Sequence, residues 1–348
     1  MLLIDNALYQ ASFKNVECEG LQDKTIIVTG ATGMIGSCLI DAIMLWNRKQ
    51  TRPCTVIAVS RKEQTARDRF AYCWHNPYFR YVELDVCNQV KGFPESVDYI
   101  IHAASNADPV NFSIAPVDTL LANVIGTNNL LNYGRMHGMK RFLYVSSGEM
   151  YGQPNASFDD FTEEYCGPVD HESPRSCYPA GKRAAEVLCQ CYISQHQVDA
   201  VIVRPCHVFG PTMTHQDSRA VSQFIRSAVK QKDIILKSAG LVERSHCYVI
   251  DAVNAMLLVL AKGECGKAYN IADRKYQMTI RDFAYKAAEA GGCHVIFENP
   301  SDLEMKGYSK VTRAVLDSSR LEALGWKPNH LISAIEETIA VLRGQVTI

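Results

Sequence analysis

The sequence predicts an α/β protein: a doubly wound parallel sheet, with a smaller α/β domain interleaved with it. Three observations carry the prediction. Short, nearly continuous apolar runs alternate with helical patterns as far as Arg204, as expected of strands buried on both faces of a parallel sheet. The first run enters a glycine-rich turn that opens directly into an amphipathic helix. Beyond Arg204 the alternation loosens and Pro211, Gly240 and Pro328 interrupt it, which marks a second, smaller unit.

The elements follow in order. Thr25–Thr29 is a β-branched run, and Ile35, Leu39, Ile40 and Ile43 then recur at helical spacing. Further strands are expected at Thr55–Val59, Tyr81–Leu84, Tyr99–Ala104, Phe142–Ser146 and Ala200–Arg204, with helices at Val117–His137 and Tyr178–His196. Past the loosened region, helices are expected at Arg219–Lys230, Ile250–Ala261 and Ile280–Ala290. The division this suggests is an N-terminal extension (1–23), a nucleotide-binding domain (24–205 plus 246–275) and a second domain (206–245 plus 276–348).

Composition narrows the class. The 348 residues are 47% hydrophobic and 21% charged, which suits a folded chain with a sizeable core and excludes disordered and fibrous classes. A net charge of −1, from 36 basic and 37 acidic residues, supplies no field for nucleic acid. No apolar run reaches the ~20 residues of a membrane span, and the N-terminus does not read as a signal peptide. Thirteen cysteines, odd in number and scattered without a CxxC pair, read as small buried hydrophobes in a reducing compartment, so a cytoplasmic location is expected.

Gly30-Ala31-Thr32-Gly33-Met34-Ile35-Gly36 has the spacing of a Rossmann phosphate loop. Its first glycine permits the sharp turn, its second lets backbone approach a pyrophosphate, and its third lets helix and strand pack closely. The helix N-terminus then offers N–H groups and a positive dipole end to the anion. The expected cofactor is NAD(P). Ser60-Arg61-Lys62 stands where an NAD site carries a carboxylate, which favours NADP over NAD, although the two cations also read as a solvated loop. Asp85 is a candidate for the adenine amine or a turn residue. The candidate cofactor contacts are Gly30, Thr32, Gly33, Met34, Ile35, Gly36, Ser60, Arg61, Asp85, Val86, Ala103, Ala104, Tyr178 and Lys182.

Tyr178-Pro179-Ala180-Gly181-Lys182 puts a phenol and an ammonium one helical turn apart, with Pro179 marking the helix start. The ammonium and the helix N-terminus are both expected to favour phenolate, making Tyr178 a usable acid–base group. Upstream, Phe142–Ser146 runs into the polar loop Ser147-Gly148-Glu149 at the carboxyl end of a strand, where ligand-facing groups emerge. Ser147 can hydrogen-bond a substrate hydroxyl. Glu149 reads equally as a base or as a solvated turn residue.

Taken together, TGATGMIG, the Ser147 loop, YPAGK and Arg204-Pro205-Cys206-His207-Val208-Phe209-Gly210-Pro211 resemble the extended short-chain dehydrogenases/reductases of the nucleotide-sugar epimerase/dehydratase group. The likeness runs from Lys24 to Gly325-Trp326-Lys327-Pro328. Within the group the chain most resembles UDP-glucuronate decarboxylases, through His102-Ala103-Ala104, Ala107-Asp108-Pro109, Arg175-Ser176-Cys177-Tyr178, Gly181 to Glu186, Arg219-Ala220-Val221-Ser222 and Arg244 to Val249. The resemblance implies catalytic roles for Ser147, Tyr178 and Lys182, a substrate contact at Arg244 and a diphosphate contact at Arg313. Asp108, His207 and Arg219 join these as candidate substrate contacts. It further implies that Tyr178 takes the proton of the sugar C4 hydroxyl as hydride leaves C4, giving a 4-keto intermediate. A homodimer paired through the helices around Val117–His137 and Tyr178–His196 is implied too, and no metal.

Three positions depart from the family pattern. Gly148 replaces a polar residue, which counts against a 4,6-dehydratase needing an acid at C6. Asp108 stands where decarboxylases carry serine near the sugar carboxylate, and two carboxylates in one pocket repel; alternatively it caps the following helix. His207 replaces an asparagine and reads as structural before catalytic. Decarboxylation leads, a 4-epimerase on a neutral nucleotide hexose follows, then a 4,6-dehydratase. A non-catalytic cofactor-binding regulator stands behind them all, because Tyr178 and Lys182 are both retained.

Overall fold

The computed structural model describes residues 2–16, 18–107, 109–154, 160–299, 313–328 and 333–344. Its strands are β1 (Thr25–Thr29), β2 (Thr55–Ser60), β3 (Phe79–Glu83), β4 (Tyr99–His102), β5 (Arg141–Val145), β6 (Ala200–Pro205), β7 (His207–Phe209), β8 (Ile234–Leu236), β9 (Glu243–Tyr248), β10 (Ala268–Ile271), β11 (Asp273–Thr279), β12 (Val295–Phe297) and β13 (Arg313–Ala314). Its helices are α1 (Ala7–Ser12), α2 (Met34–Asn47), α3 (Glu63–Arg69), α4 (Pro109–Ile114), α5 (Pro116–Met136), α6 (Cys177–His196), α7 (Ala220–Val229), α8 (Val249–Lys262), α9 (Ile280–Gly291), α10 (Ser319–Ala323) and α11 (Ala334–Arg343).

Seven strands form one parallel sheet in the order β10-β6-β5-β4-β1-β2-β3. The doubly wound Rossmann sheet expected from the sequence is therefore present. Strands β1, β2 and β6 are buried almost along their whole length, because helices cover both faces and each face has its own apolar core. Strand order reverses between β1 and β4. At such a switch point the crossovers leave in opposite directions, and a crevice opens at the carboxyl ends of the strands.

The second region builds smaller sheets. β9 pairs antiparallel with β11 on one edge and parallel with β7 and β13 on the other, while β8 and β12 pair separately. The expected boundary at 245/246 falls inside β9, because His246 to Tyr248 stay paired with β7. β10 returns to the large sheet beside β6. The sequence pattern did not reveal β7 to β13: most span two to four residues, too short for a periodicity to register.

Two expected strands shift. Phe79 and Arg80 begin β3 ahead of Tyr81, and β4 ends at His102 instead of Ala104. Ala103 and Ala104 leave the sheet to meet the backbone of Gly30. No described helix is long and apolar enough to cross a membrane.

Candidate active site

A single cleft of about 1600 Å³ runs over the carboxyl ends of the strands. All of the expected cofactor contacts line it: Gly30, Thr32, Gly33, Met34, Ile35, Gly36, Ser60, Arg61, Asp85, Val86, Ala103, Ala104, Tyr178 and Lys182. Ser147, Glu149, His207, Arg219 and Arg244 line it as well. Arg313 does not; its guanidinium bridges Glu243 at 2.9 Å and Asp160 at 2.6 Å. Asp108 lies outside the described residues.

The glycine loop suits a pyrophosphate. Gly30 adopts φ +67°, the left-handed conformation that favours glycine. A Cβ there would press on the Ala103 carbonyl at 2.7 Å, and one at Gly36 would overlap the Gly30 carbonyl. Gly33 precedes α2 without a capping side chain, so no side chain occupies the first-turn amides and a dinucleotide phosphate has direct access to them. Gly36→Ala forces strand and helix apart, at a cost of about 1–3 kcal/mol. Dinucleotide affinity in a fluorescence titration is expected to collapse, and unchanged affinity would remove this loop from the site.

At the end of β2, Ser60 Oγ lies 3.3 Å from Tyr81 Oη, and Arg61 Nη2 lies 3.5 Å from Asn106 Oδ1. Asp85 Oδ1 accepts from the Cys87 amide at 2.9 Å, so this carboxylate closes a turn while facing the cleft. Thr29 Oγ1 joins β1 to β4 through His102 Nδ1 at 2.8 Å and the Ala104 amide at 3.3 Å.

Residues from several elements meet on the cleft wall where Tyr178 and Lys182 lie. Ser147, at the end of β5, caps a 3₁₀ turn and accepts from the Glu149 amide at 3.2 Å. Tyr178 is the second residue of α6, and Lys182 lies one turn on. The Lys182 ammonium donates to the Val145 carbonyl at 2.8 Å and sits 5.6 Å from the Tyr178 ring centre. Burial pushes Lys182 down to about 7, against the attraction of Glu186.

Tyr178 differs from expectation. Burial, reinforced by Glu149, pushes its phenol up to about 12, while hydrogen bonding from Ser147 and the charges of Arg219 and Arg175 pull the other way. The phenolate is not favoured as expected, because desolvation is the largest influence on Tyr178, and Lys182 is itself pushed down to about 7 by burial. Tyr178 in the chain alone is a neutral hydrogen-bond donor.

Two residues without an assigned role complete this wall. Phe112 stacks on Tyr178 at 4.6 Å, and the Arg175 guanidinium covers the Phe112 ring at 4.6 Å. Arg175 also pairs with Glu149 at 2.9 Å, which orients that carboxylate while its side chain stays 37% exposed at the cleft. The spacing Arg175-x-x-Tyr178 was the available signal for Arg175; Phe112, more than sixty residues away, had none. Gly148 has a tertiary explanation, since a Cβ there would meet Leu316 at 3.1 Å.

Arg244 is buried in the cleft wall, and desolvation lowers it to about 10 despite Glu149. Such a cation suits an anionic ligand. Arg219 forks onto Asp217 at 2.6–3.1 Å and reaches Met34 Sδ at 3.8 Å, bringing the second region against the glycine loop. Burial and the neighbouring His246, Arg244 and Arg219 hold His207 well below its usual value, so it is a neutral imidazole.

The chain is similar to known proteins in sequence and in fold. The model of the NAD dependent epimerase/dehydratase family matches residues 26–272. UDP-glucuronic acid decarboxylase 6 of Arabidopsis thaliana is 33% identical over 306 residues, covering 87% of this chain and 84% of that protein. UDP-glucuronic acid decarboxylase 1 of Danio rerio is 32% identical over 309 residues, 88% of this chain and 69% of that one. In fold, the chain resembles DesIV, a dTDP-glucose 4,6-dehydratase of Streptomyces venezuelae solved with NAD, at TM-score 0.76 and 23% identity over 92% of this chain and 97% of that one. The UDP-glucuronic acid 4-epimerase of Bacillus cereus is similar at TM-score 0.75 and 20% identity, covering 92% and 99%. With the glycine loop, the Tyr178–Lys182 pair and these kinships in place, the chain is an NAD-dependent enzyme of the extended short-chain dehydrogenase/reductase class and belongs to the NAD dependent epimerase/dehydratase family.

Proposed function

We propose that the enzyme oxidises the C4 hydroxyl of a UDP-sugar and that the sugar is glucuronate, decarboxylated through the 4-keto intermediate. The observation that carries this reading is the meeting, on one cleft wall, of Ser147, Tyr178, the Arg175-held Glu149 and the buried Arg244. The decarboxylase relatives support it further. The cofactor half is 24–205 plus 246–275 and the sugar half 206–245 plus 276–348, with 1–23 an extension.

Ser147 orients the C4 hydroxyl and Tyr178 takes its proton. When bound, an oxidised nicotinamide supplies the hydride acceptor and a positive charge that favours the Tyr178 phenolate. The C4 ketone makes the sugar acid a β-keto acid: the C5–C6 bond breaks, carbon dioxide leaves and the electron pair moves onto the C4 oxygen as an enolate. Ser147 and Tyr178 hold that oxygen by hydrogen bonds, and Glu149 handles the proton that goes to C5. Tyr178 gives its proton back to the C4 oxygen as C4 takes the hydride back from a bound reduced nicotinamide. Lys182 would hold the cofactor ribose, Arg219 and Arg244 contact the substrate, and Arg313 meets its diphosphate if it releases Asp160 and Glu243. His207 contacts the sugar as a neutral imidazole.

Arg61 and Lys62 support NADP as the preferred cofactor. Arg61→Ala is expected to weaken NADP binding about tenfold and NAD binding little, since an Arg–phosphate contact of about 1–2 kcal/mol is lost; equal effects in parallel titrations would overturn the preference. The exposed apolar residues Val117, Leu121 and Ile125 of α5 and Val187 of α6 support a homodimer through those helices. Free cysteines throughout the chain fit the cytoplasm.

A second reading, a 4-epimerase on a neutral nucleotide hexose, draws on Asp108, whose charge would repel a uronate. Mass spectrometry with chromatography after incubation with UDP-glucuronate and each cofactor separates them. Loss of carbon dioxide is the expected result. An isomer of unchanged mass would instead establish an epimerase, and no reaction would turn the search to neutral nucleotide hexoses.

A further inference from the structure

The N-terminal extension is built into the fold. Leu3–Asp5 forms a 3₁₀ turn, and Asn6 Oδ1 then caps α1 by accepting from the Leu8 and Tyr9 amides at 3.0 and 3.1 Å. Tyr9 is fully buried and its hydroxyl donates to Asp41 Oδ2 at 2.7 Å. Asp41, on α2, is itself fully buried; it accepts from the Tyr72 hydroxyl at 2.7 Å and pairs with Arg69 at the end of α3. At the other end of α1, the Ser12 hydroxyl donates to Glu337 on α11, whose Oε1 also accepts from the Tyr248 hydroxyl at 2.7 Å. Buried carboxylates that depend on hydroxyls from separate segments fix those segments in place, because losing one donor strands a charge in low dielectric.

This anchoring brings the start of the chain to the cofactor cleft. Leu2 and Leu3 line the same cleft as the glycine loop, and Arg61, Lys62, Thr65 and Arg69 line it from the β2–α3 stretch. The Tyr9–Asp41–Arg69 chain sets the extension beside α3. In this topology the carboxyl end of β2 receives the adenosine ribose. Two leucines here add apolar surface beside the charged Arg61, Lys62 and Arg69, which suits the face of an adenine ring.

We propose that the segment Leu2–Phe13 is a cofactor-retaining wall, in which Leu2 and Leu3 cover the adenosine half of the bound dinucleotide and the Tyr9–Asp41–Arg69 network holds them there. The inference rests on the reading of the cleft as a dinucleotide site. Its consequence is slow release: the dinucleotide leaves only past a wall fixed to three helices, as suits a cofactor that is regenerated within each turnover.

Hydrogen exchange on the full chain, with and without NADPH or NADH, tests this directly. The Asp5 and Asn6 amides, bonded to the Leu2 and Leu3 carbonyls at 3.0 and 3.1 Å, report on the wall; the Gly33 and Ser37 amides, each bonded at 2.9 Å, report on the glycine loop. Dinucleotide is expected to slow exchange at both pairs, by about tenfold at the wall. Leu2→Ser, at a side chain already 37% exposed and so safe for folding, is expected to speed dinucleotide dissociation about threefold in stopped-flow displacement and to leave UDP affinity unchanged. Protection at Gly33 and Ser37 without protection at Asp5 and Asn6, or an unchanged dissociation rate in Leu2→Ser, would overturn the wall and leave the dinucleotide site standing. No protection at Gly33 and Ser37 would overturn both.

Discussion

Tyr178→Phe is expected to lower turnover by about 10²–10⁴-fold while dinucleotide binding stays essentially unchanged. The substitution removes one oxygen and keeps the ring, so the stack on Phe112 and the start of α6 survive. What disappears is the hydroxyl to which the proposed mechanism gives the proton exchange with the C4 oxygen. Burial holds this phenol up to about 12 in the chain alone, so it is present as the hydrogen-bond donor that the substitution removes. Rapid-quench measurement of 4-keto sugar formation, beside a fluorescence titration of NADPH, separates the two effects. Turnover within a factor of about ten of the parent would show that the proton leaves by another route, with general-base catalysis by Tyr178 ruled out.

Arg204→Met carries the largest expected loss of stability, about 3–5 kcal/mol. Arg204, near the carboxyl end of β6, pairs with Glu186 at 2.6 Å, both side chains being 9% exposed. Its Nη1 also donates to Tyr151 Oη and to the Glu163 carbonyl, each at 2.9 Å. Tyr151 in turn donates to Asn270 Oδ1 at 2.6 Å, and Asn270 Nδ2 reaches the Phe161 and Asp317 carbonyls. Removing the guanidinium leaves Glu186 charged and buried with Ser146 as a remaining partner. Glu186 lies one turn beyond Lys182, so loosening this joint also disturbs α6, which carries Tyr178 and Lys182. Denaturant unfolding measures the loss, and the double variant Glu186→Leu/Arg204→Met is expected to recover much of it, because it strands no charge. A single-variant loss below about 1 kcal/mol would show that the buried pair does not hold α6 to the sheet.

The site was legible in the sequence where chemistry is concentrated in short spacings. Gly30 to Gly36, Ser147 to Glu149 and Tyr178 to Lys182 are each contiguous, and strand–turn–helix context gave each a place in the fold. Partners that meet across the chain were not legible. Phe112 beneath Tyr178, Leu316 against Gly148 and Tyr9 on Asp41 are joined only by folding, and no local pattern marks them. Arg313 marks the opposite case: resemblance gave it a ligand, whereas Asp160 and Glu243 hold its guanidinium away from the cleft wall.

The sequence by itself determined the class of fold and brought forward the glycine loop and the Tyr178–Lys182 pair as candidates, because apolar periodicity and short-range spacing are properties of the chain alone. The tertiary structure alone decided the state of those residues. Whether Tyr178 is held as phenol or phenolate depends on how far burial exceeds the pull of nearby cations, and desolvation is a property of the packed surroundings. It also decided the place of the N-terminal segment, which has no motif to announce it. Two buried carboxylates, Asp41 and Glu337, draw its hydroxyls inward, and that demand arises only once α2 and α11 are folded around them.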